Sequence, residues 1–163
     1  MAAEEGVRNR VSSAVDDIDA TIKDIRRSIF GLTVLKESPD VRAAVAEVVD
    51  RAARSLKVRP VVRLEGPVDS LIDDTVRAHL LAVLAEALSN VSRHAEADDV
   101  TVEVVAGDTI ALTVRDDGKG IGSPEVISGI QNMHDRAEML GGRCVIESAA
   151  GAGTLVRWQV PAR

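Results

Sequence analysis

Hydrophobic residues recur at helical spacing along the first part of the chain. Val7, Val11, Ala14, Ile18, Ile22, Ile25, Ile29 and Leu32 are separated by steps of three or four residues, which puts them on one stripe of a long helix. Asp16, Asp17, Asp19, Lys23, Asp24, Arg26 and Arg27 fall between them as a solvated face. One helix cannot bury such a stripe alone, so the pattern predicts helix–helix contact between molecules, with packing on its own domain as the alternative. Gly31 and Pro39 punctuate the chain, and a boundary is expected near Leu35–Ser38. Ser38 and Pro39 suit the cap and first position of a second helix, running through Val41, Val45, Val48, Val49 and Ala52 to about Leu56.

The periodicity then alternates between two and 3.6. Val58 to Leu64 reads as a strand, which Pro60 assigns to an edge or to a strand start. A long helix is expected from about Asp73 to His94, with Val76, Leu80, Leu81, Val83, Leu84 and Leu88 as its apolar positions. Val100–Val105 and Thr109–Arg115 alternate on either side of Ala106-Gly107-Asp108, a hairpin signal. A short polar stretch, Ser123–Ser128, precedes a helix expected from Ile130 to Leu140 and stopped by Gly141-Gly142. Cys144–Ser148 and Thr154–Val160 form a second hairpin. This order predicts an α+β fold, a two-layer sandwich with helices on one face of a mixed, mostly antiparallel sheet. Two units are expected: residues 1–37 as a bundle helix and residues 38–163 as the sandwich.

Composition narrows the classes. With one Trp, one Phe and no Tyr in 163 residues, the core must be aliphatic. A net charge of −6, without a block of Lys and Arg, argues against nucleic acid as a partner. The single Cys144 cannot close an internal disulfide, and no zinc-ligand spacing is present. It is expected to be a small buried hydrophobe, and Trp158 to pack on the sheet. No apolar run is long enough to span a bilayer, so a cytoplasmic location is expected, for the chain itself or for the part it forms of a larger membrane protein.

Two stretches carry candidate chemistry. The run Ile110, Leu112, Val114 feeds Asp116-Asp117-Gly118-Lys119-Gly120-Ile121-Gly122, a strand ending in two carboxylates and three glycines. Glycines at this spacing let bare backbone approach a polar ligand. Lys119 is followed by Gly120, which excludes a P-loop, and Ser123 stands where a dinucleotide fingerprint needs glycine. A turn rich in Asp and Gly explains the run equally well on its own. The second stretch is Glu86, Asn90 and His94, which share one stripe of the long helix. They offer a base, an oxygen ligand and a phosphate partner, although an exposed polar face would look the same.

Together the two stretches resemble the N box and first glycine box of the ATPase domain of sensor histidine kinases. Gly129-Ile130-Gln131-Asn132-Met133-His134-Asp135-Arg136 to Gly142 resembles the second glycine box, and Gly151-Ala152-Gly153-Thr154 the closing Gly-x-Gly-Thr. The four motifs keep the family order over roughly residues 71–160. Asp24–Leu32 further resembles the second bundle helix of NarL/FixJ-type kinases, with the actinobacterial DevS/DosT group as the nearest likeness. The resemblance implies that ATP and Mg²⁺ are bound. Asp116 would accept the adenine amino group, and Gly118, Gly120 and Ile121 would run under the nucleotide. Asn90 would ligate Mg²⁺, and Glu86 would polarise or deprotonate the acceptor histidine. His94 and Arg93 would face the phosphates, Gly129 would hold the triphosphate at a helix start, and Thr154 would sit near adenine. It also implies a phosphoacceptor helix, a response regulator and a homodimer as partners.

The sequence departs from that family in two respects. The lid between Gly122 and Gly129 is very short, and only one glycine stands where many relatives have a pair. Nothing before Val7 can hold the phosphoacceptor, and none of His79, His94 and His134 lies in an acceptor context, His134 being part of the second glycine box. The expected function is the ATP-binding part of a histidine kinase that does not label itself. An anti-sigma-factor serine kinase of the same fold, or a partner-binding module with a vestigial pocket, are the alternatives.

Overall fold

The fold rests on strands whose inward residues line up in rows across one sheet. The computed structural model describes residues 40–121 and 124–162, so the expected N-terminal helix and the 1–37 boundary lie outside the described residues. The elements are α1 (Val41–Ala53), β1 (Val61–Glu65), α2 (Val68–Leu71), α3 (Asp74–Asn90), β2 (Val100–Ala106), β3 (Thr109–Asp116), α4 (Pro124–Glu138), β4 (Arg143–Ser148) and β5 (Thr154–Pro161). The sheet order is β1-β2-β3-β5-β4, with β1 parallel to β2 and every other pair antiparallel. The mixed, mostly antiparallel sheet is therefore as the sequence predicts, and β1 begins directly after Pro60 at the sheet edge.

Register explains the core. Val104, Leu112, Trp158 and Cys144 pair in succession across β2, β3, β5 and β4, and all four are buried. Val102, Val114, Val156 and Ile146 form the next row. Because strand side chains alternate, these rows share one face, and the helices cover it. Cys144 is indeed a buried small side chain, its thiol pushed up to about 11 by burial.

The central helix α3 packs between α1, α4 and the sheet. Its Leu80, Leu81, Val83, Leu84 and Leu88 are fully or almost fully buried. Asp73 caps it, its carboxylate accepting the Val76 amide at 2.7 Å. After Asn90 the coil widens to a π turn over Val91–Ala95, and Glu96 ends it in the left-handed region at φ 53°.

Two helix starts differ from the sequence reading. The cap of α1 is Asp40, whose carboxylate accepts the Arg42 amide at 2.7 Å, rather than Ser38. An aspartate directly ahead of the apolar periodicity can satisfy the first-turn amides that Ser38 would reach only from further back. Helix α4 starts at Pro124, not Ile130, so most of the stretch read as a polar lid is helical. Proline is at home in the first turn, and Val126 extends the Ile130, Met133, Ala137 spacing backwards by one step of four.

Candidate functional site

At one end of the sheet the rows turn from apolar to polar. Val100, Asp116, Thr154 and Ser148 pair across β2, β3, β5 and β4, on the same face as the core. This row opens into a cleft bounded on the far side by the end of α3 and by α4. Asn90, His94, Asp116, Gly120, Ile121 and Thr154 all line it, so six of the predicted residues converge. The walls between them are Val114, Val156, Ile146, Ile130 and Met133. A mostly apolar cleft with one buried carboxylate in its lining suits a heterocycle with a donor edge.

Asp116 is 5% exposed. Burial raises its pKa above the ordinary carboxylate value, opposed by the amides of Gly118 and Thr154 and reinforced by the charge of Asp117. The Gly118 amide donates to its Oδ1 at 2.9 Å. That contact forms because Gly118 lies flat against Ala95, where a Cβ would come within 2.3 Å of the Ala95 carbonyl oxygen. Gly120 turns the chain at φ 82°, and Ile121 then donates its amide to Ser148 Oγ at 2.8 Å. Ser148 Oγ also donates to the Gly153 carbonyl, 3.1 Å away, and lies 3.2 Å from Thr154 Oγ1. Sequence reading missed Ser148, although its place opposite Thr154 in the hairpin was a usable signal.

The widened turn brings Asn90, Val91, His94 and Ala95 to the cleft together. Arg93 is exposed and outside the lining. Glu86 is 8% exposed and lies beneath α4, also outside the lining. Gly129 stands inside α4 rather than at its start, so the helix-start anion site expected at Gly129 is not where its amide is placed. Instead it leaves room for Glu86: a Cβ at Gly129 would come within 2.2 Å of Glu86 Oε1. Gly118 likewise supports the cleft from behind. The apolar walls were missed as site residues because alternation marks them only as core. Among the described residues no cluster of three or more His, Cys, Asp or Glu could hold a metal ion by itself.

Residues 75–163 match the family described as histidine kinase-, DNA gyrase B-, and HSP90-like ATPases. The chain belongs to this ATPase family. Glu86, Asn90 and His94, the glycine loop and the closing hairpin all lie within the matched residues. The chain is 30% identical over 160 residues to the nitrate/nitrite sensor protein NarQ of Escherichia coli K12, covering 95% of this chain and 28% of NarQ. It is 37% identical over 97 residues to the sensor histidine kinase LiaS of Bacillus subtilis 168, covering 57% of this chain and 27% of LiaS. The chain thus spans less than a third of either relative. The fold is similar to that of the blue-light activated histidine kinase EL346 of Erythrobacter litoralis. There the TM-score is 0.67 at 18% identity, covering 88% of this chain and 50% of that one. The ATPase-family fold is therefore supported by sequence and by shape.

Proposed function

We propose that this chain is the ATP-binding catalytic part of a two-component sensor histidine kinase. The observation that carries the reading is Asp116, a buried carboxylate in an apolar-walled cleft that Asn90 and His94 also line. An ionised carboxylate only accepts, so it selects a base with an exocyclic amino donor. The apolar walls would hold the ring, and Thr154 would add a hydroxyl beside it. The phosphates would then run toward Asn90 and His94. Asn90 offers one oxygen ligand, which fits Mg²⁺ because that ion takes its remaining ligands from phosphate and water.

The transfer itself demands positioning and charge stabilisation more than covalent help. The β–γ phosphate bond breaks as an imidazole nitrogen–phosphorus bond forms, ADP leaves, and Glu86 takes or holds the imidazole proton. Glu86 lies under Gly129, so reaching an acceptor requires α4 to shift at that point. The acceptor would come from a bundle to which residues 1–37 contribute a helix, making a homodimer, and a response regulator would receive the phosphoryl group. Similarity to NarQ over 95% of the chain supports including that N-terminal segment. No described helix is long and apolar enough to cross a membrane. We place the reaction in the cytoplasm, where ATP is available.

Three outcomes are expected. Asn90→Ala is expected to remove the gain in ATP affinity that Mg²⁺ gives, measured calorimetrically with Mg²⁺ and with EDTA. An equal loss in both conditions would remove Asn90 as the metal ligand. Incubated with γ-labelled ATP and Mg²⁺, the chain alone is expected to stay unlabelled while a separately supplied acceptor bundle gains acid-labile label. Glu86→Gln is expected to slow that labelling without abolishing ATP binding. Acid-labile label on this chain alone would contradict the assignment of His79, His94 and His134 as non-acceptors.

A further inference from the structure

We infer that Asp117 is a positioning residue that locks the nucleotide-facing glycine loop to the chain leaving α3. This rests on the nucleotide reading of the cleft and adds a residue to it. Adjacent residues at a strand end point to opposite sides, so Asp116 faces the cleft while Asp117 faces away and is exposed. Asp117 Oδ1 accepts two successive amides, Asp98 at 2.9 Å and Asp99 at 2.8 Å. Its own amide donates to the Asp99 carbonyl at 3.3 Å. Those amides draw its pKa below the ordinary carboxylate value, so the acceptor stays ionised at neutral pH.

The segment it grips is the one that needs gripping. The π turn ends at Glu96 in the left-handed region, which a side chain rarely adopts without support. Around that residue the Lys119 amide donates to the Ala95 carbonyl at 2.8 Å, and the Lys119 ammonium meets the Glu96 carboxylate at 2.6 Å. Both of these side chains are exposed, so that ion pair adds little. The Asp117 contacts are directional and use one acceptor for two donors. They fix the distance between two parts of the cleft that come from separate elements. One is Asp116 at the end of β3, and the other is the Asn90–His94 turn. If the loop drifts by a fraction of an ångström, base and phosphate contacts can no longer be made together.

The distinguishing property is acceptance, not charge. Asp98, Asp99, Glu96 and Asp116 already surround the site with negative charge. A carboxamide in place of Asp117 keeps an oxygen for both amides and removes one like charge. The test compares wild type, Asp117→Ala and Asp117→Asn by calorimetric ATP titration with Mg²⁺ and by hydrogen exchange at the Asp98 and Asp99 amides without nucleotide. Asp117→Ala is expected to weaken ATP about tenfold, the two lost hydrogen bonds being partly replaced by water. It should also speed exchange at both amides. Asp117→Asn is expected to restore affinity and protection to wild-type levels. Alanine behaving as wild type, or asparagine failing as alanine does, would overturn the inference while leaving the nucleotide reading intact. A wild-type chain that binds no ATP would overturn the nucleotide reading itself, and the loss of protection at Asp98 and Asp99 would then report only a structural clamp.

Discussion

Asp116→Asn is expected to weaken ATP binding by about 10- to 100-fold, the range for losing a hydrogen bond to a charged group in a buried site. The carboxylate only accepts, whereas a carboxamide can turn a donor toward the donor edge of adenine. The prediction carries a pH signature. Burial raises the pKa of Asp116, so its folded value lies above its unfolded one. The folded chain therefore holds this proton more tightly, and the stability that the group contributes is present at low pH and lost as pH rises through the raised value. Binding runs the other way, because protonation removes the acceptor. Wild-type affinity is expected to fall on acidification, starting at a higher pH than an ordinary carboxylate would require. The asparagine variant is expected to be weak throughout, with that limb absent. Calorimetric titrations from roughly pH 4 to pH 8 check both features. Unchanged affinity in the variant would remove Asp116 from base recognition.

Gly153→Ala is expected to destabilise the fold by about 2–4 kcal/mol and to lower the melting temperature by about 10 °C. Gly153 sits at φ 78°, and a Cβ there would lie 2.0 Å from the Asp116 carbonyl oxygen. Neither the backbone conformation nor the collision can be relieved by rotating a side chain. The strained atom belongs to the residue assigned to the base, so ATP affinity should fall as well. Gly151, two residues earlier, is the control. Its φ is 73°, yet nothing lies within 4 Å of its Cβ position. Gly151→Ala should cost only the left-handed strain, about 1–2 kcal/mol. Equal melting temperatures for the two variants would show that the contact behind Asp116 carries no weight.

The parts of this molecule that follow from short-range pattern were legible in the sequence. Alternation about Gly107-Asp108 marks the β2–β3 hairpin, and it places Asp116 at a strand end facing the core side. Pro60 identifies the edge strand, and Asn90 and His94 share a helix stripe that reaches the cleft. Long-range packing was less legible. No local signal says that Glu86 lies beneath Gly129, since that contact joins α3 to α4. Gly129 reads locally as a break, and the apolar spacing that carries α4 back to Pro124 becomes visible only once the helix has a surface to pack on. The π turn is likewise written in no single residue. It arises where the chain leaves α3 for β2 and must bring Asn90, His94 and Ala95 against the glycine loop. The Asp117 clamp escaped notice because adjacent aspartates look equivalent until the strand sends them to opposite sides.

The central claim is that the cleft reads adenine through the Asp116 carboxylate, and titration of ATP against GTP tests it most directly. Adenine presents an amino donor where guanine presents a carbonyl acceptor, so guanine would set two acceptors against each other in a buried site. With Mg²⁺ present, ATP is expected to bind and GTP to bind at least about 100-fold more weakly. Equal affinity for the two nucleotides, or binding of neither, would contradict the account.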